Sequence, residues 1–233
     1  MKKGELIRAT HGISGLSSLQ RIEPKHRHQH SLLEPNDECW FIADYHSGTS
    51  RGYEVNQLIF DWKCMPSAAA LDGRKQRSKE TAIHTVAAIL RHCCNRLWSE
   101  NATWCPVPTS RAIGNANYDD RLLRTLRIAF EGYDLDLRVL LTQGANTQAD
   151  HIAERRLSRD DLFEVLKVET GALGQLPLRQ RIVLFDDILT SGKHFKCCQH
   201  RLREVVPDVP VCGLFFARRV QCSRWWRCSS SRI

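Results

Sequence analysis

The stretch Ile182-Val183-Leu184-Phe185-Asp186-Asp187-Ile188-Leu189-Thr190-Ser191-Gly192-Lys193-His194 decides the predicted fold. The run from Arg181 to Phe185 is apolar and rich in branched residues, which predicts a buried strand. Two carboxylates and a small, hydroxyl-rich turn follow it, and a helical pattern then runs from about His194 to Val205. Ligands of open α/β sheets bind beyond the carboxyl ends of the strands. The sequence therefore predicts a ligand site at Asp186 and Asp187.

The turn after these aspartates has the composition of an anion site. Thr190, Ser191, Gly192 and Lys193 can direct successive backbone N–H groups at a phosphate, and the N-terminus of the following helix adds its positive end. Carboxylates would repel that phosphate, so Asp186 and Asp187 need another partner. Two hydroxyls of a sugar fit them, with the turn binding the phosphate of the same molecule.

The rest of the chain alternates strand and helix patterns. These comprise a helix capped by Ser78 with apolar residues from Ile83 to Leu97, a strand at 102–107, a helix from Asp119-Asp120 to Gly132, a strand from Leu137 to Leu141 and a last strand from Val211 to Phe216. The order and spacing predict an α/β fold whose parallel sheet is covered by helices on both faces.

The length of 233 residues suits one domain. We predict an N-terminal extension at 1–38, a domain at 39–220 and a basic tail at 221–233. The chain has 34 Lys and Arg against 26 Asp and Glu, a net charge of +8. The tail surrounds Trp225-Trp226 with arginines, a combination that can bind phosphates and stack on bases. It is a candidate contact for a nucleic acid or nucleoprotein partner, and a solvated terminus is the alternative.

Two further polar segments carry open alternatives. The basic segment 74–79 could line the entrance of the site, contact nucleic acid or form a solvated charge run. His26, His28 and His30 could bind a transition metal or form ordinary polar surface.

Composition also predicts the cellular compartment of the protein. No apolar stretch approaches the ~18 residues of a membrane-spanning helix, and the first twelve residues lack the apolar core of a signal peptide. The ten cysteines include no C-x-x-C pair, so reduced thiols in the cytoplasm are expected rather than a zinc site or a disulfide framework.

The apolar run, Asp186-Asp187, two apolar residues and Thr190-Ser191-Gly192 together resemble the phosphoribosyl pyrophosphate (PRPP) signature of type I phosphoribosyltransferases. Upstream pieces extend the likeness toward the ComF-like branch, whose members are linked to competence. They are the helix pattern from Asn56 to Lys63, the loop from Cys105 to Arg111, Thr147-Gln148, Glu154-Arg155-Arg156 and the run from Leu162 to Val165. His194 stands where the family usually has Thr or Ser, and Ala116-Asn117-Tyr118 stands where it usually has Gly-Phe-Asn.

The resemblance implies a type I phosphoribosyltransferase fold with a small N-terminal hood. It also implies an Mg²⁺-dependent enzyme that transfers phosphoribosyl from PRPP to a nucleobase-like or nucleic-acid acceptor. Asp186 and Asp187 would hold the ribose hydroxyls and, through water, Mg²⁺. The 5′-phosphate would be bound by Thr190, Ser191, Gly192, Lys193 and His194, and the pyrophosphate by Thr109, Ser110, Arg111 and Lys63.

Other functions remain open on the sequence, because a fold does not determine an activity. One is a non-catalytic module that binds PRPP or a nucleotide, including a module for DNA handling in competence. Another is an effector or toxin of a bacterial anti-phage defence system of the retron kind. The sequence names neither the acceptor nor the oligomeric state, for which a homodimer is one option.

Overall fold

The computed structural model describes residues 18–47, 53–144, 159–174 and 176–221. Within these ranges the main sheet has six strands in the order β1-β2-β8-β7-β3-β4. Only the pairing of β1 with β2 is antiparallel; the other four pairings are parallel. These strands are β1 (Gln20–Arg21), β2 (Cys39–Ser47), β3 (Ala102–Pro106), β4 (Asp136–Leu137), β7 (Arg181–Leu189) and β8 (Val211–Gln221). The predicted α/β fold is confirmed, but the sheet that was predicted to be parallel is mixed, because β1 pairs antiparallel with β2.

Eight α-helices connect and flank the strands in the described ranges. They are α1 (Glu54–Trp62), α2 (Pro66–Ala70), α3 (Gly73–Cys93), α4 (Arg96–Glu100), α5 (Arg121–Ala129), α6 (Arg159–Val165), α7 (Thr170–Leu173) and α8 (Lys193–Val205). A 3₁₀ helix covers Pro24–Gln29, and β5 (Leu141–Gln143) pairs antiparallel with β6 (Leu166–Val168) outside the main sheet.

The core has two layers because successive strand side chains point to opposite faces. Val183 and Phe185 of β7 pack on one face with residues of α1, α3 and α5. Ile182 and Leu184 pack on the other face with residues of α6 and α8. Helices therefore cover both faces of the sheet, and β7 lies between β3 and β8.

The predicted start of α3 is wrong. The helix begins at Gly73, and Asp72 caps it by accepting hydrogen bonds from the backbone N–H groups of Arg74 and Lys75. Ser78 lies within the second turn. The first turns are polar and mostly exposed, so they add nothing to the apolar periodicity on which the prediction rested.

The predicted strand from Leu137 to Leu141 is divided in two. β4 ends at Leu137 and β5 begins at Leu141. Between them the guanidinium of Arg138 donates to the carbonyls of Leu176 and Pro177, at 2.8 and 3.1 Å. These bonds tie the chain to the loop before β7, and the two strands join different sheets.

Two strands run further than predicted. β7 continues through both aspartates to Leu189, and β8 continues to Gln221, paired with β2 as far as Ser47. No helix in the described ranges is both long and apolar enough to cross a membrane. The Trp225-Trp226 tail, Thr147-Gln148 and Glu154-Arg155-Arg156 lie outside the described residues.

Candidate functional site

The predicted site residues meet at the carboxyl end of β7. A cavity of about 410 Å³, here the aspartate cavity, is lined by Lys63, Thr109, Ser110, Arg111, Asp186, Asp187, Thr190 and His194. A second cavity of about 420 Å³, here the turn cavity, adds Ser191, Gly192 and Lys193 and shares Ser110, Asp186, Thr190 and His194 with the first. Segments that are far apart in the sequence thus line two adjoining recesses.

The two aspartates differ in environment although they are adjacent. Asp186 is buried, and its Oδ1 accepts the backbone N–H of Asp187 at 2.8 Å. Burial raises the pKa of Asp186 to about 7, and repulsion by the Asp187 charge adds to the rise. Near neutral pH this carboxyl is therefore able to donate or accept a proton in a hydrogen bond to a hydroxyl group.

Asp187 is held by two cations. The ammonium of Lys63 lies 2.9 Å from each of its carboxylate oxygens, and the guanidinium of Arg121 forms a second ion pair with it. Burial alone would raise the pKa of Asp187, but the charges and hydrogen bonds of Lys63 and Arg121 outweigh burial and hold it below its usual range. Asp187 is thus ionised at neutral pH.

Arg121 is a site residue that the sequence did not predict. Its guanidinium joins Asp187 to Asp119, and Lys79 donates to the same Asp119 at 2.8 Å. All four charged groups are buried. The available signal was a charged residue on the apolar face of a helix, because Arg121 precedes the buried Thr125 by one turn.

The turn is shaped by glycine and by the segment 30–37, here called the strap. Gly192 has φ +89°, and a Cβ atom at this position would lie 2.8 Å from Leu33 of the strap. The N–H of Leu32 donates to the carbonyl of Ser191 at 2.9 Å, and Nδ1–H of His30 donates to the carbonyl of Thr190 at 2.5 Å. The carbonyl groups of Thr190 and Ser191 are therefore hydrogen-bonded to the strap.

A buried ion pair fixes the strap to α8. The ammonium of Lys196 contacts Asp37 at 3.0 Å and Glu34 at 2.9 Å, within the first turn of the helix. His30 is fully buried, and its burial lowers its pKa. The strap was missed because no local pattern links residues 30–37 to a turn about 160 positions later.

The three histidines near the N-terminus do not converge on one point. Nδ1 of His28 bonds to the carbonyl of Lys25, and Nδ1 of His26 accepts the N–H of Glu23. His30 is committed to the turn. Across the ranges that the structure describes, no group of three or more His, Cys, Asp or Glu side chains could hold a metal ion.

The loop after β3 forms another part of the lining. Its first residue, Val107, donates its N–H to the carbonyl of Phe185 at 2.9 Å, so the loop leaves the sheet beside Asp186. Arg111 then adds a guanidinium to the lining of the aspartate cavity. In the same cavity, loss of hydration around the ring lowers the pKa of His194, which favours the neutral imidazole at pH 7.

The donor set fits a metal ion that arrives with its substrate better than one held by the protein alone. Both oxygens of Asp187 contact Lys63, whereas only Oδ1 of Asp186 accepts a backbone N–H. One carboxylate with an available oxygen is a sparse site for Mg²⁺, which commonly keeps several waters and binds substrate phosphates. Mg²⁺ would fit this recess if substrate oxygens and water supplied most of its ligands, and Asp186 is the residue that would help to hold it.

Comparison with known proteins adds no identification. No protein-family model matches the chain, and no curated protein matches it significantly. The candidate site therefore rests on its own geometry.

Proposed function

We propose that the protein binds PRPP with Mg²⁺ and transfers its phosphoribosyl group to a nucleobase-like or nucleic-acid acceptor, on a fold of the type I phosphoribosyltransferase kind. The observation that carries this proposal is the shared recess of Asp186, Asp187, the turn 190–194 and the loop 109–111. PRPP has a group that suits each part of this recess. Its 5′-phosphate suits the anion-binding turn, its pentose suits the carboxylate pair, and its pyrophosphate suits the loop with its cation.

Each group has a role set by its chemistry. The turn and the N-terminus of α8 bind the 5′-phosphate, because backbone N–H groups and the positive end of the helix dipole attract an anion there. Asp186 bonds to a ribose hydroxyl, and Asp187 accepts a second one as Lys63 turns toward the pyrophosphate. Arg111 binds the same pyrophosphate from the loop after β3.

The reaction forms a bond from an acceptor nitrogen to ribose C1 and breaks the bond from C1 to pyrophosphate oxygen. The pyrophosphate leaves with the bonding electrons, and the nitrogen releases its proton to solvent. Bound Mg²⁺ would neutralise charge on this leaving group. Positive charge develops on the sugar at this stage, and the ionised Asp187 stabilises it electrostatically.

Arg121 fits this chemistry as a positioning residue. It holds Asp187 in place after Lys63 has moved, and its pairing with Asp119 keeps the guanidinium from following the pyrophosphate. The carboxylate thus remains ionised and oriented at each stage.

Pyrophosphate release from PRPP and Mg²⁺, measured across a panel of bases, nucleotides and DNA, tests the proposal. The double substitution Asp186→Asn with Asp187→Asn should abolish release and remove the binding heat of PRPP in calorimetry. Asp208→Asn, a change at an exposed loop position, is the matched control and should leave both unchanged. Full release by the double variant would refute the assigned site.

A non-catalytic PRPP-binding module is the second candidate, and one observation favours it. Lys63 and Arg121 neutralise Asp187, which leaves less of its charge to stabilise a cationic sugar, whereas Asp186 and the turn are still able to bind the ligand. For a module of this kind, PRPP raises the melting temperature while no acceptor in the panel yields pyrophosphate. Release with any acceptor would decide for the enzyme.

A further inference from the structure

A third cavity of about 710 Å³ adjoins the aspartate cavity. Lys63, Met65 and Ile188 line both of them, so the two recesses lie side by side. We call the third one the Phe60 cavity. It lies between the end of α1, the short α2 and the first turn of α3, on the side of the sheet where Asp187 lies.

Its walls are largely apolar, and several of them are open to solvent. Phe60 is 70% exposed and Met65 is 54% exposed. Tyr45, Ile59 and Ala68 complete the apolar surface. Exposed apolar surface in a concave recess is typical of a ligand site, and aromatic side chains give a planar base a stacking surface.

Cations lie at one end of the cavity. Arg74 and Lys75 line it, and in the described part of the chain their side chains form no hydrogen bond or ion pair. Two carboxylates also line it, but Asp72 is engaged by the backbone N–H groups of α3 and Asp61 by Gln57. Available cations at the edge of an apolar pocket suit a ligand that combines an apolar plane with an anion.

We propose that the Phe60 cavity binds a nucleotide as the acceptor, with its base against Phe60 and Met65 and its phosphate at Arg74 and Lys75. Only the role of the nucleotide as acceptor rests on the proposed function. The cavity and its cations are independent of PRPP. The base of a nucleotide keeps ring and exocyclic nitrogens that can attack C1. The same chemistry is present in a free nucleotide and in a nucleotide of a single strand.

Calorimetric titration of the whole protein, without PRPP, is the first test. The probes are nucleoside monophosphates, the matching nucleosides and a short single-stranded oligonucleotide. We expect monophosphates to bind and nucleosides to bind at least about tenfold more weakly, since only the monophosphates can form charge-assisted hydrogen bonds to Arg74 and Lys75. Equal affinity for nucleosides and nucleotides would overturn the proposal, as would no binding of any probe.

Charge reversal locates the phosphate. Arg74→Glu with Lys75→Glu should reduce nucleotide affinity at least about tenfold, because it replaces two attractive contacts with repulsive ones. Arg127→Glu with Arg203→Glu changes the net charge equally at exposed positions outside the cavity and should leave the affinity within about twofold. Equal losses in both double variants would contradict a site at Arg74 and Lys75.

Cysteine alkylation gives a readout that does not depend on a variant. Cys64 lines the cavity and Cys93, at the end of α3, does not; both are partly exposed free thiols. Bound monophosphate should slow the alkylation of Cys64 by iodoacetamide and leave the rate at Cys93 unchanged, with mass spectrometry measuring each. Burial raises the pKa of the Cys93 thiol to about 11, so each cysteine is compared with itself. An unprotected Cys64 at saturating nucleotide would refute the location.

Two sources of the nucleotide are distinguished by the same titrations. Tight binding of monophosphates indicates a free nucleotide, whereas binding of the oligonucleotide alone, lost in Arg74→Glu with Lys75→Glu, indicates a strand. PRPP titration in parallel separates this inference from the proposed function. Nucleotide binding without PRPP binding would refute the phosphoribosyltransferase and leave the nucleotide site standing, and PRPP binding without nucleotide binding would do the reverse.

Discussion

The two sides of the aspartate cavity are built in different ways. On the side of Asp186, backbone hydrogen bonds and close packing from the strap shape the turn 190–194. On the side of Asp187, a chain of charges sets the geometry; it is buried at Arg121 and Asp119 and reaches the surface at Lys63. One side therefore depends on shape and the other on charge balance. Substitutions should separate the two sides. Removing a charged group should destabilise the Asp187 side, and adding a methyl group should destabilise the Asp186 side.

The largest effect is expected on the charged side. Arg121→Met leaves Asp187 and Asp119 with one cation fewer in a buried setting, and we expect a loss of about 3 kcal/mol in the free energy of unfolding. Arg124→Met, three residues along the same helix, breaks the partly exposed pair with Glu80 and should cost less than about 1 kcal/mol. Urea denaturation measures both. Equal losses would mean that burial does not distinguish these ion pairs.

On the packed side, Gly192→Ala should cost about 2 kcal/mol more than Gly132→Ala. Both glycines have positive φ, at +89° and +79°, so alanine strains the backbone at each. Only at Gly192 would the new Cβ meet another atom, Leu33 at 2.8 Å. Thermal unfolding of the two variants checks this difference. A loss of the same size at both positions would argue against close contact between strap and turn.

The aspartates should also differ in their response to pH. The pKa of Asp186 is raised, so the folded state holds a proton that the unfolded chain releases, and stability falls as the pH rises from about 4 to about 7. Asp186→Asn should remove this decline and increase the free energy of unfolding at pH 7 by more than about 1 kcal/mol. Denaturant titrations across this pH range test it. An unchanged pH dependence in the variant would place the proton elsewhere.

The pKa shift of Asp187 has the opposite sign to that of Asp186. Because its pKa is lowered in the folded state, Asp187 stabilises the fold at every pH above the ordinary pKa of an aspartate. This stabilisation is lost only as the pH falls below that value. Asp187→Asn removes the charge that contributes to the raised pKa of Asp186, but burial is the larger cause, so we expect it to keep most of the slope between pH 4 and 7 that Asp186→Asn removes.

The smallest effect is expected at His30. His30→Ala removes the donor to the carbonyl of Thr190, which is worth about 1 kcal/mol, and we expect a several-fold weaker affinity for ribose 5-phosphate. His30→Asn, which keeps a donor, should recover part of it. His28→Ala should have no effect, because in the part of the chain that the structure describes His28 bonds to Lys25 and Gln29 of its own 3₁₀ segment. Titration calorimetry measures all three, and equal affinities for the alanine variants would remove His30 from the site.

The sequence predicted the parts of this site that are local. The strand, the aspartate pair and the turn follow one another in the chain, so periodicity and composition were enough to locate them. It also anticipated that Lys63 and the loop 109–111 would belong to the site, but only through a family resemblance. Arg121, His30 and Leu33 were not predicted, because their partners lie 66 to about 160 positions away and depend on tertiary packing.

The boundaries of the elements follow the same rule. The start of α3 was missed because its cap, Asp72, precedes a polar first turn that carries no apolar pattern. The break between β4 and β5 was missed because the side-chain bonds of Arg138 to a distant loop create it. The sequence was sufficient to predict element boundaries that depend on neighbouring residues. It was not sufficient for boundaries that depend on long-range contacts.

Calorimetric titration of the intact protein with PRPP and Mg²⁺ tests the central claim most directly. We predict a saturable heat with one PRPP per chain, which is lost in the variant carrying Asp186→Asn and Asp187→Asn and retained in Asp208→Asn. No heat with the unmodified protein, or the same heat in the double variant, would contradict a pentose phosphate site at the end of β7.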